Sequence, residues 1–275
     1  MSKGWVVVTG ASSGIGRAAA DGLAVRGWKV IATARADGDL EALRLAGHKA
    51  LYLELADTRS VQAFAGAVES ICGGRLHALF NNAGYGQPGA VEDVPRDALE
   101  RQFTVNVFGT HDVTRRLLPM MLAHGEGRIV VNSSILGLVA MPWRGAYNAS
   151  KFALEGLFDT LRLELHGSGV AVSLIEPGPV ATRFRAHARD AFHAHIDVGS
   201  SRHAATYEAL RARLDRTDAA AGFTLAAESI MKPLIHALES PRPRRRYLLT
   251  TPAKVLGPLR RVLPAGLLDA LVRRQ

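Results

Sequence analysis

The chain has 275 residues, of which 48% are hydrophobic, and its formal net charge is +9. The chain has 34 basic and 25 acidic side chains. Residues 242–275 hold nine of the basic side chains and one of the acidic ones, so residues 1–241 hold 25 basic and 24 acidic side chains. This length fits one α/β domain with a large core, and a body so close to neutral excludes nucleic-acid binding as the main function.

An apolar, β-branched run at residues 5–9 predicts a first strand, and the segment TGASSGIG at 9–16 leads from it into a helical pattern at 17–26. Glycines at such a turn allow positive φ angles and let backbone N–H groups approach a pyrophosphate at the positive end of the helix dipole. We therefore expect a dinucleotide site, although the spacing is TGxxxGxG and not GxGxxG. Its predicted contacts are Gly10, Ser12, Ser13, Gly14, Ile15 and Gly16.

The second predicted strand, at residues 28–34, ends at Arg35, where a dinucleotide site meets the adenosine ribose. No acid stands at this point, although Asp37 and Asp39 follow closely and could compete. Because a guanidinium without a carboxylate beside it pairs well with a 2′-phosphate, the sequence favours NADP(H) over NAD(H).

Short apolar strands alternate with longer helical stretches from residue 6 to residue 176. This alternation predicts an α/β fold, a Rossmann-like doubly wound parallel sheet with helices on both faces. We expect residues 1–251 to form one NAD(P)-binding catalytic domain, with residues 252–275 as a C-terminal extension of the same domain.

Tyr147 and Lys151 lie four positions apart in a helical pattern at 146–166 and therefore share one helix face. A free tyrosine has a pKa of about 10, and a neighbouring cation lowers that pKa. We interpret the pair as a proton-transfer device. YxxxK alone is a weak signal, and its weight comes from the other motifs.

Four further segments occur in order along the chain. They are NNAG at 81–84 after a strand at 78–80, Asn106 in a helical pattern at 98–123, NSS at 132–134 after a strand at 128–131, and PGPVAT at 177–182 after a strand at 170–176. With TGxxxGxG and YxxxK, these segments make residues 4–182 resemble the short-chain dehydrogenase/reductase family. A weaker resemblance, in residues 32–35 and in the extended C-terminus, is to the 17β-hydroxysteroid and retinol dehydrogenases.

The family resemblance implies a role for each member of a catalytic set. Tyr147 would exchange a proton with the substrate oxygen, and Lys151 would lower the pKa of Tyr147 and bind the nicotinamide ribose. Ser134, chosen over Ser133 because it lies thirteen positions before Tyr147, would hydrogen-bond the substrate oxygen. Asn106 would hold a water that relays protons through Lys151.

The resemblance also implies further cofactor contacts. Beside the adenine ribose these are Asn81, Ala83 and Gly84, and beside the nicotinamide carboxamide they are Pro177, Gly178, Val180 and Thr182. Where the family usually has an Asp that contacts the adenine amino group, this chain has Glu54 followed by Leu55. Glu54 and Leu55 are predicted cofactor contacts, and Asp57 is an alternative to Glu54 as the carboxylate that contacts the adenine amino group.

Substrate contacts are expected around the catalytic pair and in a substrate loop at about 183–206. The predicted contacts are Ser134, Met141, Trp143, Tyr147 and Phe184. Methionine and tryptophan here suggest a lipophilic carbonyl or alcohol, while Trp143 as a plain core aromatic is an open alternative.

Several expectations concern location and assembly. Cys72 is the only cysteine, no signal peptide fits before the first strand, and no apolar run approaches ~18 residues, so we expect a cytoplasmic protein. The resemblance implies a homodimer or homotetramer built on the helices at 98–123 and 146–166. No metal site is predicted, because His187, His193, His195 and His203 lack a metal-ligand spacing.

Residues 252–274 form a basic amphipathic pattern that Pro258 and Pro264 are expected to break into short helices. Packing on its own subunit, peripheral contact with an anionic membrane and docking on an acidic partner are the three alternatives.

The leading functional hypothesis is an NADP-preferring oxidoreductase that transfers a hydride between nicotinamide and a carbonyl or secondary alcohol of a lipophilic small molecule. The alternatives are an acyl-carrier-linked β-ketoacyl reductase and a cofactor-sensing binding protein without catalysis. The complete set of Asn106, Ser134, Tyr147 and Lys151 disfavours the last.

Overall fold

The computed structural model describes residues 3–215 and 224–273. Within these residues, seven parallel strands form one sheet in the order β3-β2-β1-β4-β5-β6-β7. The strands are β1 Trp5–Val8, β2 Lys29–Ala34, β3 Lys49–Tyr52, β4 Ala78–Asn81, β5 Gly127–Asn132, β6 Val170–Glu176 and β7 Arg246–Leu248. The predicted Rossmann-like doubly wound parallel sheet is confirmed.

Helices cover both faces of this sheet. They are α1 Gly14–Val25, α2 Asp37–Leu45, α3 Thr58–Cys72, α4 Arg96–Phe103, α5 Thr110–Ala123, α6 Gly145–Glu164, α7 Phe184–His195, α8 Ala204–Asp215, α9 Met231–Glu239, α10 Thr251–Val262 and α11 Ala265–Val272. Successive strand residues point to opposite faces, so Val7 lies in one hydrophobic cluster with α3 and α5, whereas Val6 and Val8 lie in another with α1 and α9.

The order of the strands places a crevice at one edge of the sheet. The chain runs outward from β1 to β3 and then returns to β4, so that β1 and β4 are neighbours at the point of reversal. In open parallel sheets, ligands bind outside the carboxyl ends of the strands at such a point. The glycine-rich turn after β1 and the NNAG segment after β4 therefore meet at this edge.

Two helical predictions are confirmed with one refinement. The pattern at 98–123 is continuous helix, but its centre, Thr104–Gly109, is a π-helix between α4 and α5. The pattern at 146–166 corresponds to α6. The stretch predicted as a substrate loop at 183–206 is instead largely helical, formed by α7 and the start of α8.

The C-terminal extension packs on its own chain. Ala253 and Leu256 of α10 and Val272 of α11 lie in a hydrophobic cluster with the turn Ile135–Gly137. The expected break at Pro258 is wrong, because α10 continues through this exposed residue, while the break at Pro264 is present. Arg274 lies outside the described residues.

The outer side of the extension remains exposed, with Val255, Val262, Leu267 and Leu271 on the surface. Membrane or partner contact through this side therefore stays a prediction. In the part of the chain that the structure describes, no helix combines the length and the apolar character needed to cross a bilayer.

Candidate active site

The turn after β1 is closely packed backbone. Gly10 and Gly14 have φ angles of +65° and +54°, which favour glycine. A Cβ at Gly16 would lie 2.0 Å from the carbonyl oxygen of Gly10, and one at Gly14 would lie 2.9 Å from Thr182. These glycines let the turn fold tightly at the start of α1, whose N-terminal N–H groups can bind a pyrophosphate, so the residues fit a dinucleotide.

The side chains of the predicted turn contribute less than its backbone. Ser13 precedes the first residue of α1 in an extended conformation, and its side chain makes no capping hydrogen bond. Ser12 and Ile15 are half-buried. Their backbone groups are therefore the parts of the turn that lie closest to the expected phosphates.

A hydrogen-bond network ties this turn to the strands beside it. Thr9 Oγ1 accepts from the backbone N–H groups of Asn82 and Ala83, at 2.9 and 3.0 Å. Asn82 Nδ2 donates to Gly10 O at 3.1 Å, and Asn82 Oδ1 accepts from Asn132 Nδ2 at 2.9 Å. Asn82 was absent from the predicted contacts, although its place inside NNAG was a usable signal.

Asn81, by contrast, was predicted to contact the cofactor, but its side chain is buried and donates to Thr114 Oγ1 of α5 at 2.8 Å. This leaves only its backbone available to a ligand. Gly84 lies against Asn106, since a Cβ there would be 3.0 Å from Asn106 Oδ1.

Tyr147, Ser134 and Lys151 come together at the open end of the crevice. The Tyr147 hydroxyl lies close enough to Ser134 for the serine to influence its pKa. Lys151 Nζ donates to Asn132 O at 2.8 Å and lies 5.7 Å from the centroid of the Tyr147 ring. The predicted catalytic pair therefore faces the same space as the glycine turn.

The expected effect of Lys151 on Tyr147 is wrong for this arrangement. Burial raises the pKa of Tyr147 to about 12, against smaller lowering effects of Ser134 and Arg144. Burial also lowers the pKa of Lys151 to about 8. The ammonium donates to the carbonyl of Asn132 instead of meeting the phenol oxygen, so it does not acidify the phenol here.

Asn106 lies inside the π-helix, a distortion that is frequent at functional sites. Its Oδ1 accepts from Tyr85 N at 3.1 Å, and its Nδ2 donates to Tyr85 O at 2.9 Å and to Ser150 Oγ at 3.2 Å. Asn106 thus links the segment after β4 to the turn of α6 between Tyr147 and Lys151.

Ser133 and Ser134 make different contacts. Ser134 Oγ lies within reach of Tyr147 and accepts from Leu136 N at 3.1 Å. Ser133 Oγ instead donates to the buried carboxylate of Glu155 on α6. The two adjacent serines therefore point to opposite sides of the strand end.

At the ribose end of the crevice, Arg35 is 62% exposed, but Glu54 lies beside it, with Arg35 Nη1 and Glu54 Oε2 3.3 Å apart. The expectation that Arg35 has no neighbouring carboxylate is therefore wrong, because the parallel pairing of β2 and β3 brings Glu54, the second residue after β3, next to it. Glu54 Oε1 also accepts from Ala56 N at 3.0 Å. Leu55 is buried against Gly109.

The segment after β6 closes the crevice opposite the glycine turn. Gly178 N donates to Thr250 Oγ1 at 3.1 Å, and Val180 forms a parallel bridge with Leu225. Pro177 O accepts from Ile135 N at 2.9 Å. Thr182 packs next to Gly14 of the glycine turn, and its contact with a nicotinamide stays a prediction.

The substrate side is made of side chains. Phe184 packs edge to face on Tyr147, with 5.3 Å between ring centroids. Trp143, whose φ is +63°, packs 4.9 Å from the His203 ring and belongs to a buried cluster with Tyr207. Trp143 also borders a cavity, and its role as a substrate contact stays a prediction.

This cavity, of about 470 Å³, lies between the segment before α6 and helix α11. Its lining is mainly apolar and includes Val91, Ala140, Met141, Trp143, Asn148 and Val272. Asn148 Nδ2 donates to Met141 O at 3.0 Å, whereas Asn148 Oδ1 is buried without a hydrogen-bond partner. Asn148 was not among the predicted substrate contacts.

Known proteins share this architecture. Residues 4–193 match the family model described as short chain dehydrogenase. The uncharacterized oxidoreductase YbbO of Escherichia coli (strain K12) is 39% identical over 268 residues, which cover 98% of this chain and 93% of that protein. The NADPH-dependent 3-dehydrocapnine reductase of Ornithobacterium rhinotracheale is 30% identical over 276 residues, with 97% and 95% covered.

A solved structure gives the same result. The crystal structure of a short chain dehydrogenase/reductase from Burkholderia phymatum in complex with NAD has a TM-score of 0.77 and 31% identity, covering 92% of this chain and 90% of that chain. This chain therefore belongs to the short-chain dehydrogenase/reductase family, and it is an oxidoreductase that works with a nicotinamide cofactor.

Proposed function

We propose that this enzyme reduces a lipophilic carbonyl compound with NADPH, or oxidises the corresponding secondary alcohol with NADP⁺, and that Tyr147 exchanges the proton. One observation carries the proposal: the Tyr147 hydroxyl lies beside Ser134, and Lys151 follows one helical turn later on α6 with its ammonium on Asn132 O at the end of β5. A proton donor and a second hydroxyl then converge on one substrate oxygen.

The chain's own residues divide the work. The nicotinamide, when bound, supplies or accepts the hydride. Tyr147, whose pKa is about 12, is protonated at neutral pH and is thus ready to donate to an oxygen that gains negative charge. Ser134 donates a second hydrogen bond to that oxygen, and Lys151 is mostly charged below its pKa of about 8 and binds the ribose hydroxyls. Asn106 holds the water that renews the proton.

A lipophilic substrate is supported by the cavity beside α6. Its mainly apolar lining, with Val91, Met141 and Val272, would contact an alkyl or ring system, while Asp269 and Arg273 add charge beside α11. The NADPH-dependent 3-dehydrocapnine reductase of Ornithobacterium rhinotracheale, which is 30% identical to this chain, is also a reductase.

The NADPH preference is supported by the exposed guanidinium of Arg35, which the Glu54 carboxylate partly neutralises. Arg35→Ala should then raise KM for NADPH but not for NADH. Glu54→Gln should lower KM for NADPH, because the guanidinium is released toward a 2′-phosphate. An unchanged NADPH to NADH ratio of kcat/KM in both variants would contradict the assignment.

We also propose a homo-oligomer. Leu99 of α4, Phe108 of the π-helix and Leu163 of α6 are exposed large apolar side chains on the helices expected to form the interface. Light scattering coupled to size-exclusion chromatography should give a mass of two or four chains, and a monomer at micromolar concentration would contradict it.

The substrate class is tested by NADPH consumption with a panel of steroids, retinoids, aliphatic ketones and acyl thioesters. We expect turnover with apolar ketones. Faster turnover of carrier-bound acyl thioesters would instead favour the acyl-carrier alternative. Tight NADPH binding without turnover of any compound would favour a cofactor-sensing protein.

A further inference from the structure

A buried group of charges lies directly behind Lys151. Glu155 follows Lys151 by four residues on α6 and is 6% exposed. Its carboxylate accepts from Ser133 Oγ and pairs with Arg246 of β7. Arg246 Nη1 also lies 2.7 Å from Oε1 of Glu176, the fully buried last residue of β6. Charges this deeply buried are costly unless each is paired, so the arrangement is specific.

This group is attached to the turn that carries Ser134. Backbone N–H groups on both sides of Ser134 donate to the end of β6: Ser133 N to Ile175 O at 2.8 Å and Ile135 N to Pro177 O at 2.9 Å. A Cβ at Gly137 would lie 2.9 Å from Glu155 Cγ and 3.0 Å from Ser133 Oγ. Glu155 therefore packs tightly against this turn and fixes Ser133 on the side away from the substrate.

We propose that Glu155 is a positioning residue: its hydrogen bond with Ser133 orients the turn that bears Ser134, and its negative charge, one helical turn from Lys151, keeps that ammonium charged. The inference deepens the proposed function and rests on it. Glu155 itself touches neither the expected substrate nor the cofactor.

The electrostatics agree with this geometry. Burial lowers the pKa of Lys151 to about 8, and the charge of Glu155 opposes that fall. The pKa of Glu176 is raised to about 8 by burial and by the charge of Glu155. Burial raises the pKa of Glu155 too, but Ser133 and Arg246 both lower it. The hydrogen bond from Ser133 and the charge of Arg246 thus favour the charged form of Glu155, while burial favours its protonated form.

The charged and titratable groups around Lys151 come from several elements. Helix α6 itself contributes Tyr147, Glu155 and Asp159, β6 contributes Glu176, and β7 contributes Arg246. The π-helix and β5 contribute the neutral Asn106 and Asn132, and Arg260 of α10 stacks on Phe152. On α4 the charged side chains are exposed. Among the described residues, Glu155 is the group whose charge raises the pKa of Lys151.

Two variants separate the two roles of Glu155, and a control and a rescue accompany them. Glu155→Gln keeps an acceptor for Ser133 but removes the charge. Ser133→Ala removes the hydrogen bond but keeps the charge. Asp159→Asn is the matched control, because it removes another carboxylate partner of Arg246 without contacting Ser133. Circular dichroism establishes that each variant is folded, and Glu155→Asp, which keeps the charge on a shorter side chain, serves as the rescue.

Two readouts are measured on the full-length enzyme. One is the pH dependence of kcat/KM for NADPH-dependent carbonyl reduction. The other, independent of activity, is the NMR titration of the lysine side chains, in which Lys151 is assigned with the Lys151→Arg variant among the six lysines of the chain.

For Glu155→Gln we expect the titration midpoint of Lys151 and the alkaline fall of kcat/KM to move to lower pH by about one unit, because an opposite charge at this range is lost. Glu155→Asp should restore the midpoint. Ser133→Ala should lower kcat about tenfold without moving the midpoint, and Asp159→Asn should change neither.

An unmoved midpoint in Glu155→Gln, or a normal kcat in Ser133→Ala, would overturn the corresponding role. If wild-type enzyme reduces no carbonyl, the proposed function fails, while the NMR titration still decides the role of the charge.

Discussion

The nucleotide side and the substrate side of the crevice are built in different ways. On the nucleotide side, backbone meets backbone, as where Gly16 packs against the carbonyl of Gly10. On the substrate side, side chains meet side chains, as where Phe184 covers Tyr147 and Trp143 packs on His203. A site of the first kind tolerates no added atom, whereas a site of the second kind can change its ligand by exchanging side chains without disturbing the sheet.

The largest expected effect is on the nucleotide side. Gly16→Ala would place a Cβ 2.0 Å from Gly10 O, so the turn must open by about an ångström. We expect NADPH binding to weaken about 100-fold or more, since a misplacement of that size has this cost at a positioned site. The measurement is the NADPH dissociation constant from protein fluorescence.

Gly38→Ala in α2 is the matched control for Gly16→Ala. A Cβ there meets nothing within 4 Å, so NADPH affinity should be unchanged and the free energy of unfolding should rise by about 0.5–1 kcal/mol. Equal affinities in the two glycine variants would contradict the comparison.

Acid should weaken the fold through Glu239 of α9, whose partners Lys3, Arg26 and Trp28 lie at the amino ends of β1 and β2, on the edge of the sheet away from the crevice. Hydrogen bonds from Arg26, above all, and from Lys3 and Trp28 lower the pKa of Glu239 to about 2. A carboxylate with a lowered folded pKa stabilises the fold above its ordinary pKa of 4.5, and the stabilisation is lost as pH falls toward 2. We expect a loss of at most about 3 kcal/mol in the free energy of unfolding.

Urea unfolding at pH 6 and pH 3 measures this loss. Glu239→Gln should reduce the difference between the two pH values, and the remainder comes from other carboxylates with lowered pKa values, such as Asp21, Asp112 and Asp159. Glu92→Gln, on the substrate side, should leave most of it, because the pair of Glu92 with Arg202 is exposed and solvent screens it. An identical acid dependence in wild type and Glu239→Gln would show that the hydrogen bonds of Glu239 do not stabilise the fold.

A smaller effect is expected on the substrate side. Phe184→Ala removes the aromatic contact with Tyr147 but leaves the fold intact, since Phe184 is 39% exposed. Such a contact contributes about 0.5–1.5 kcal/mol, so kcat/KM for the carbonyl substrate should fall by up to about tenfold, with NADPH affinity unchanged. Leu45→Ala, at another exposed apolar position, should change neither value. A loss of NADPH affinity in Phe184→Ala would show that the two sides are not separable.

The sequence predicted what depends on local pattern. The strand, glycine turn and helix at the N-terminus, and the convergence of Tyr147, Ser134 and Lys151, follow from short motifs in parallel βαβ units. The break at Pro264 also follows from the sequence.

Contacts between distant segments were not predictable in this way. Arg35 meets Glu54 because β2 and β3 pair, and Arg246 meets Glu155 although 91 positions separate them. A periodicity along one segment carries no information about such pairs. The pKa of Tyr147 was mispredicted for a related reason, since helix spacing shows which residues share a face but not how deeply they are buried.

The central claim is that Tyr147 serves the chemical step and not cofactor binding. Its direct test compares the NADPH dissociation constant and the kcat of Tyr147→Phe with those of the wild type. Tyr85→Phe is the control, because the Tyr85 hydroxyl is buried without a hydrogen-bond partner. We predict that Tyr147→Phe keeps NADPH affinity within about threefold and loses at least about a hundredfold in kcat, while Tyr85→Phe retains both. Near-normal turnover by Tyr147→Phe would contradict the account.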